Sequence, residues 1–106
     1  MYTRNVSMKL KTNSVQEFTR TLENEIIPVL RKQKGFKDEI SFVSPERNEA
    51  MAISFWDKQE DAESYNHVAY LDVLKLLSKV VEAMPTMKTF EVANSTSHQI
   101  AVSAVN

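Results

Sequence analysis

The sequence predicts an α+β fold of the ferredoxin-like kind: a four-stranded antiparallel sheet built in β-α-β-β-α-β order, with both helical regions on one face. Three observations predict it. Val6, Met8 and Leu10 alternate with polar residues, and Met51, Ile53 and Phe55 alternate with Ala52, Ser54 and Trp56, the period of two that marks strands. Val15, Phe18, Leu22, Ile26 and Leu30 recur every three or four positions, as do Val73, Leu77, Val80 and Met84, which is the helical period. Ser44-Pro45-Glu46-Arg47-Asn48 joins two strand patterns through turn-forming residues and makes an antiparallel hairpin of them.

The first strand covers roughly residues 2–11. Asn13 or Ser14 caps the first helix, and Ser14-x-x-Glu17 fits a capping box. Pro28 lies far inside that helix, where the missing amide hydrogen predicts a kink near Asn24–Pro28. Lys32-Gln33-Lys34-Gly35 ends it: the cations suit the negative end of the helix dipole, and glycine accepts a left-handed cap. Phe36, Ile40 and Phe42 mark the second strand. The third runs out at Trp56, with Asp57 positioned to cap the next helix and Glu60 and Asp61 in its first turn. That helical region extends roughly from Lys58 to Ala83, with a break near Asn66–Asp72 where a polar half gives way to an apolar one. Pro85 stops it. Phe90 and Val92 mark a fourth strand, and after the polar Asn94-Ser95-Thr96-Ser97 the stretch His98–Val105 reads as an extra C-terminal strand.

In this topology one face of the sheet has no helix to cover it. The expected occupants of that face are Ser7, Lys9, Ala50, Ala52, Ser54 and Trp56, small residues plus the single tryptophan. Such a surface invites a second sheet, so a homodimer is expected. The 106 residues predict one domain over 1–106, with a core over about 3–94 and a C-terminal extension over about 95–106. A net charge of -1, from 13 basic and 14 acidic residues, gives no electrostatic footprint for nucleic acid or an anionic membrane. With no cysteine there is no disulfide, thiolate metal site or cysteine nucleophile. A single glycine excludes glycine-rich phosphate loops. No apolar run of signal-peptide or membrane-spanning kind occurs, so a cytoplasmic location is the expectation.

Four stretches together resemble the antibiotic biosynthesis monooxygenase domain family of the dimeric α+β barrel superfamily. They are the first strand with its capped helix, Ile27-Pro28-Val29-Leu30 running to Lys34-Gly35-Phe36, Ser54-Phe55-Trp56-Asp57 running to Ala62, and Thr89-Phe90-Glu91-Val92. The resemblance implies a homodimer whose two sheets close into a barrel. It also implies cofactor-independent oxygenation of a small aromatic or quinone-like molecule, with no cofactor and no metal. A haem-degrading branch of the family uses an Asn on the first strand, a Trp in the second helix and a His beyond it. Those positions fall here on Val6, on or beside Tyr65, and near Leu74–Leu76, so nothing is left to ligate iron and haem degradation is disfavoured.

Oxygenation of that kind needs a base, hydrogen-bond donors for the developing enolate or phenolate, and a dry pocket. The candidates are Trp56, Tyr65, Asn66, His67 and Tyr70, four of them clustered at the expected helix break. Histidine titrates near neutrality, so His67 is the candidate base or proton relay, with Tyr65 beside it. Asn66 and Tyr70 would orient the small-molecule ligand and Trp56 would wall the pocket. The plainer alternatives are a solvated helix residue for His67, helix-to-sheet packing for the two tyrosines and a packing anchor for Trp56. His67 and His98 stand too far apart in sequence, and without a second ligand at helical spacing, to suggest a metal. The competing function is a non-enzymatic small-ligand-binding or stress-associated protein of the same barrel type. Its mark would be a cavity filled by the chain's own side chains.

Overall fold

In the computed structural model, which describes residues 1–100, the elements follow the expected order. Strand β1 (Tyr2–Lys9) leads through α1 (Val15–Thr21), a π-helical segment (Leu22–Ile26) and α2 (Ile27–Arg31) to the hairpin of β2 (Phe36–Ser44) and β3 (Glu49–Trp56). Helices α3 (Gln59–Val68) and α4 (Tyr70–Leu77) then lead to β4 (Thr86–Glu91). The strands pair antiparallel in the order β2-β3-β1-β4, the ferredoxin-like arrangement.

Pro28 acts as expected, and the distortion takes a specific form. Its ring crowds the carbonyl of Asn24, and the chain widens into the π-helical segment just before it. Phe18, Leu22, Ile26 and Leu30 still face the sheet and are buried. Gly35 carries φ +80, and a Cβ there would lie 2.1 Å from Asp61 Oδ2. Its carbonyl also accepts a 2.7 Å hydrogen bond from the Asp57 amide, which ties the end of β3 to the turn before β2.

One expectation reverses. Tyr2, Arg4, Val6 and Met8 on β1 pair with Trp56, Ser54, Ala52 and Ala50 on β3, and partners directly opposite share a face. Val6 and Met8 lie under the helices, so Ala50, Ala52, Ser54 and Trp56 lie there too, not on the open face. The open face instead carries Ile40, Phe42, Met51, Ile53, Phe55 and Phe90 in register with Thr3, Asn5 and Ser7. A strand has period two, so one wrong assignment of phase moves every side chain to the other side. On the covered face of β3 the small Ala50, Ala52 and Ser54 leave room for the helices and Trp56 fills the end of the strand, while Met51, Ile53 and Phe55 stand where no helix competes for space.

Smaller expectations also change. Neither Ser14 nor Lys58, the actual N-caps of α1 and α3, makes a side-chain capping bond, so the capping box and the Asp57 cap do not form. The second helical region breaks at Ala69 as expected, but α4 ends at Leu77 rather than near Ala83. Val81 instead bridges to Leu10, flanked by hydrogen bonds from the Lys11 amide to the Val80 carbonyl and from the Glu82 amide to the Lys9 carbonyl. Two β-branched residues meeting the end of an open strand outcompete the helical pattern. After β4, residues 92–100 form no strand. His98 pairs there with the Asp38 carboxylate, its ring 6.0 Å from that of Phe55. The rest of the expected C-terminal strand lies outside the described residues.

Candidate functional site

The sheet register sets Glu39, Ser54, Arg4 and Thr89 in one row across β2, β3, β1 and β4, on the face covered by helices. Arg4 is in phase with Val6, Met8 and Leu10, so its side chain is carried into the core, where it is 2% exposed. α3 and α4 then lay two tyrosines over it. The guanidinium carbon lies 4.9 Å from the centroid of the Tyr65 ring and 4.1 Å from that of Tyr70. Arg4 Nη2 donates a 2.9 Å hydrogen bond to Asn66 Oδ1. The break at Ala69 makes this possible, because it turns α4 so that Tyr70 approaches the same cation as Tyr65, with 5.9 Å between the two rings.

Behind Tyr65 stands Trp56, its ring stacked at 5.0 Å and 27°. Phe36 meets Trp56 edge-on at 5.7 Å, and the indole Nε1–H donates to Ser54 Oγ at 2.9 Å. This aromatic wall, with Trp56 fully buried and Phe36 partly so, packs against Tyr65.

The electrostatics follow from burial. Desolvation pushes the Tyr65 phenol up to about 12 against the opposing pull of the Arg4 charge, and raises Tyr70 for the same reason. Both phenols therefore keep their protons at neutral pH. Desolvation also lowers Arg4, though a guanidinium stays protonated at any physiological pH. Among the described residues no carboxylate forms an ion pair with it. Cation–π contacts in a dry site contribute on the order of 2 kcal/mol. Burying an ion costs several kcal/mol, so the aromatic rings offset only part of the cost.

Two spaces meet at Arg4. An inner cavity of about 40 Å³, partly open to the surface, lies between sheet and helices, where Arg4, Glu39, Ser54, Tyr65 and Tyr70 face an apolar wall that includes Leu22, Ile26, Leu30 and Val73. An outer cleft of about 160 Å³ is bounded by Tyr2, Arg4, Glu63, Asn66, His67 and Thr89. Glu39 is half-buried; burial raises its pKa, partly countered by the hydrogen bond it accepts from Ser41 Oγ.

Of the residues expected to form a site, Tyr65, Asn66 and Tyr70 come together around Arg4. Trp56 stands behind Tyr65 and borders neither space. His67 is exposed on α3 and borders the outer cleft but not the inner cavity. Sequence reasoning missed Arg4 and Glu39. Arg4 was detectable as a cation in phase with the apolar residues of β1, where a charge is out of place unless it has work to do. Glu39 was not, because its face depends on the β2–β3 register and on the irregularity between Phe36 and Asp38. Among the described residues no group of three or more His, Cys, Asp or Glu could hold a metal ion, and no helix is long and apolar enough to cross a membrane.

No family model matches the chain, and no curated protein matches it. Solved structures do. SnoaB, a cofactor-independent oxygenase from Streptomyces nogalater, superposes with a TM-score of 0.73 at 12% identity, covering 92% of this chain and 97% of that one. A monooxygenase of Streptomyces coelicolor in complex with nanaomycin D gives 0.74 at 10% identity, covering 96% and 92%. A protein of unknown function from Nitrosomonas europaea gives 0.72 at 9% identity, covering 96% and 95%. The chain thus has the fold of the antibiotic biosynthesis monooxygenases, the fold its sequence resembles.

Proposed function

We propose that the chain is a cofactor-independent monooxygenase of the antibiotic-biosynthesis type, acting on a small aromatic or quinone-like molecule held as its anion against Arg4. The observation that supports this most is a buried cation without a carboxylate partner among the described residues, flanked by two protonated tyrosines and bordering an apolar cavity. Such a site is complementary to a phenolate or enolate. Once deprotonated, the substrate supplies all the electrons. A ring carbon bearing two hydrogens becomes a carbonyl, one oxygen atom of dioxygen enters it, and the other leaves with both hydrogens as water. Arg4 holds the oxyanion, Asn66 fixes the guanidinium, Tyr65 and Tyr70 donate hydrogen bonds and press on the ring, and Trp56 braces Tyr65.

At about 40 Å³ the inner cavity has room for a single water, so substrate binding must displace its walls. The π-helical segment and the α3–α4 break are where the helices over the cavity depart from regular α geometry, so they are the wall elements proposed to move. The same small volume favours the second reading, a ligand-binding protein without turnover. In either case a second copy covers the open sheet face, where Phe42 is 54% and Phe90 52% exposed.

Oxygen uptake with a panel of hydroxynaphthalenes and anthrone-type ketones decides between the readings. Uptake that falls at least a hundredfold in Arg4→Met is expected for the oxygenase. Binding of the same compounds without uptake supports the ligand-binding reading. Uptake lost in His67→Ala but kept in Arg4→Met would move the chemistry to the outer cleft and contradict the assignment.

A further inference from the structure

Every part of the proposed site so far stabilises an anion, and none of it makes one. Tyr65 and Tyr70 are neutral phenols, already carrying the one proton they can hold, and Arg4 has no lone pair to offer. His67 lies outside the inner cavity. One carboxylate does border that cavity, two strands away from Arg4 on the same face of the sheet.

We infer that Glu39 is the proton acceptor of this site, taking the acidic O–H or C–H proton of a neutral aromatic substrate whose resulting oxyanion is held by Arg4. The inference rests on the oxygenase reading and on placement. Glu39 and Arg4 flank Ser54 from opposite sides in one row of the sheet, so their backbones stand two strand spacings apart, roughly 9–10 Å. One or two fused rings span that gap once both side chains lean inward. The Glu39 carboxylate accepts a hydrogen bond from Ser41 Oγ, and it forms no ion pair among the described residues. The other titratable side chains bordering the cavity are Arg4 from β1, Tyr65 from α3 and Tyr70 from α4; the π-helical segment and α2 contribute only Leu22, Ile26 and Leu30. Burial raises Glu39 above its ordinary range, which makes it a stronger base than an exposed carboxylate. In the step, the substrate O–H or C–H bond breaks and its electron pair stays on the substrate. The proton forms an O–H bond on Glu39, which is exposed enough to release it to solvent.

Glu39 and a bound anion share one small cavity, so each disfavours the other's charge. Calorimetric titration with 2,4-dinitrophenolate, a probe that stays ionised from pH 5.5 to 8.5, reads this without turnover. The dissociation constant of the wild type is expected to rise at least tenfold across that range. In Glu39→Gln it is expected to stay flat and tight. A flat wild-type profile, or a pH dependence that survives Glu39→Gln, overturns the assignment. In oxygen uptake, Glu39→Gln is expected to lower kcat by a factor of 10²–10⁴, and formate is expected to restore part of it in Glu39→Ala. Full activity in Glu39→Gln also overturns the inference. If the wild type takes up no oxygen with any compound, the oxygenase reading fails, and the dinitrophenolate profile alone decides whether Glu39 faces the ligand.

Discussion

Arg4 holds its guanidinium carbon 4.1 Å from the centre of the Tyr70 ring, in the interior and with no carboxylate partner among the described residues. A cation in that setting is expensive for the fold. A charge buried without a counter-ion costs more to desolvate than neutral contacts return, and even whole buried ion pairs are often replaced by apolar residues at no loss. Arg4→Met is therefore expected to unfold within about 1 kcal/mol of the wild type, or above it, in urea. A loss well beyond that would make Arg4 a structural residue and remove the chief support for an anion site.

The two phenols give a pH signature. Tyr65 titrates near 10.0 in the unfolded chain and at about 12 in the fold, so the native state prefers its proton. The stability this contributes is fully present below pH 10 and is lost as pH rises toward 12. A urea midpoint that falls across that window, and falls less in Tyr65→Phe, is the expected result.

Glu39 behaves in the opposite sense to an ordinary surface carboxylate. Burial raises it above 4.5, so the fold favours its neutral form, and the contribution present in acid is lost as pH climbs through the raised value. Glu39→Gln is expected to melt higher than the wild type at pH 7, with the difference shrinking toward pH 4. Equal melting temperatures at every pH would mean that the carboxylate is not desolvated.

Much of the architecture was legible because it rests on local chemistry. Pro28, Gly35 and the Ser44–Asn48 turn each act through backbone restrictions that travel with the residue. That Tyr65, Asn66 and Tyr70 lie near one another was legible because the helix break that gathers them shows in the change from polar to apolar sequence. The face of β3 was misjudged because side-chain size suggested one side, whereas pairing with β1 decides it. Arg4 shows in the sequence only by its phase with Val6, Met8 and Leu10; its surroundings come from two helices far along the chain that close over it. Val80 and Val81 fit the helical period in sequence, and only the nearby end of β1 draws them out of it.

Gly35 tests how tightly the α2–β2 turn is tied to α3. With φ +80 and a Cβ position 2.1 Å from Asp61 Oδ2, Gly35→Ala meets both a backbone and a steric penalty. A loss of about 2 kcal/mol is expected in denaturant unfolding. A neutral result would show that Asp61 gives way freely.

The open face predicts assembly. Wild-type protein is expected to sediment at twice 12.1 kDa, and Phe42→Glu, which sets a charge amid Ile40, Met51 and Ile53, is expected to sediment as a single chain. A monomeric wild type at micromolar concentration would contradict the barrel.

Arg4 is expected to receive an aromatic oxyanion, and a crystal structure with a hydroxynaphthoquinone bound above its ionisation pH is the decisive test. The expected complex has the ionised oxygen about 3 Å from an Arg4 nitrogen. Its ring should lie between the sheet and Tyr65 and Tyr70, with the π-helical wall displaced outward. A ligand seated in the outer cleft or on the open face, with Arg4 still bonded only to Asn66, would contradict it.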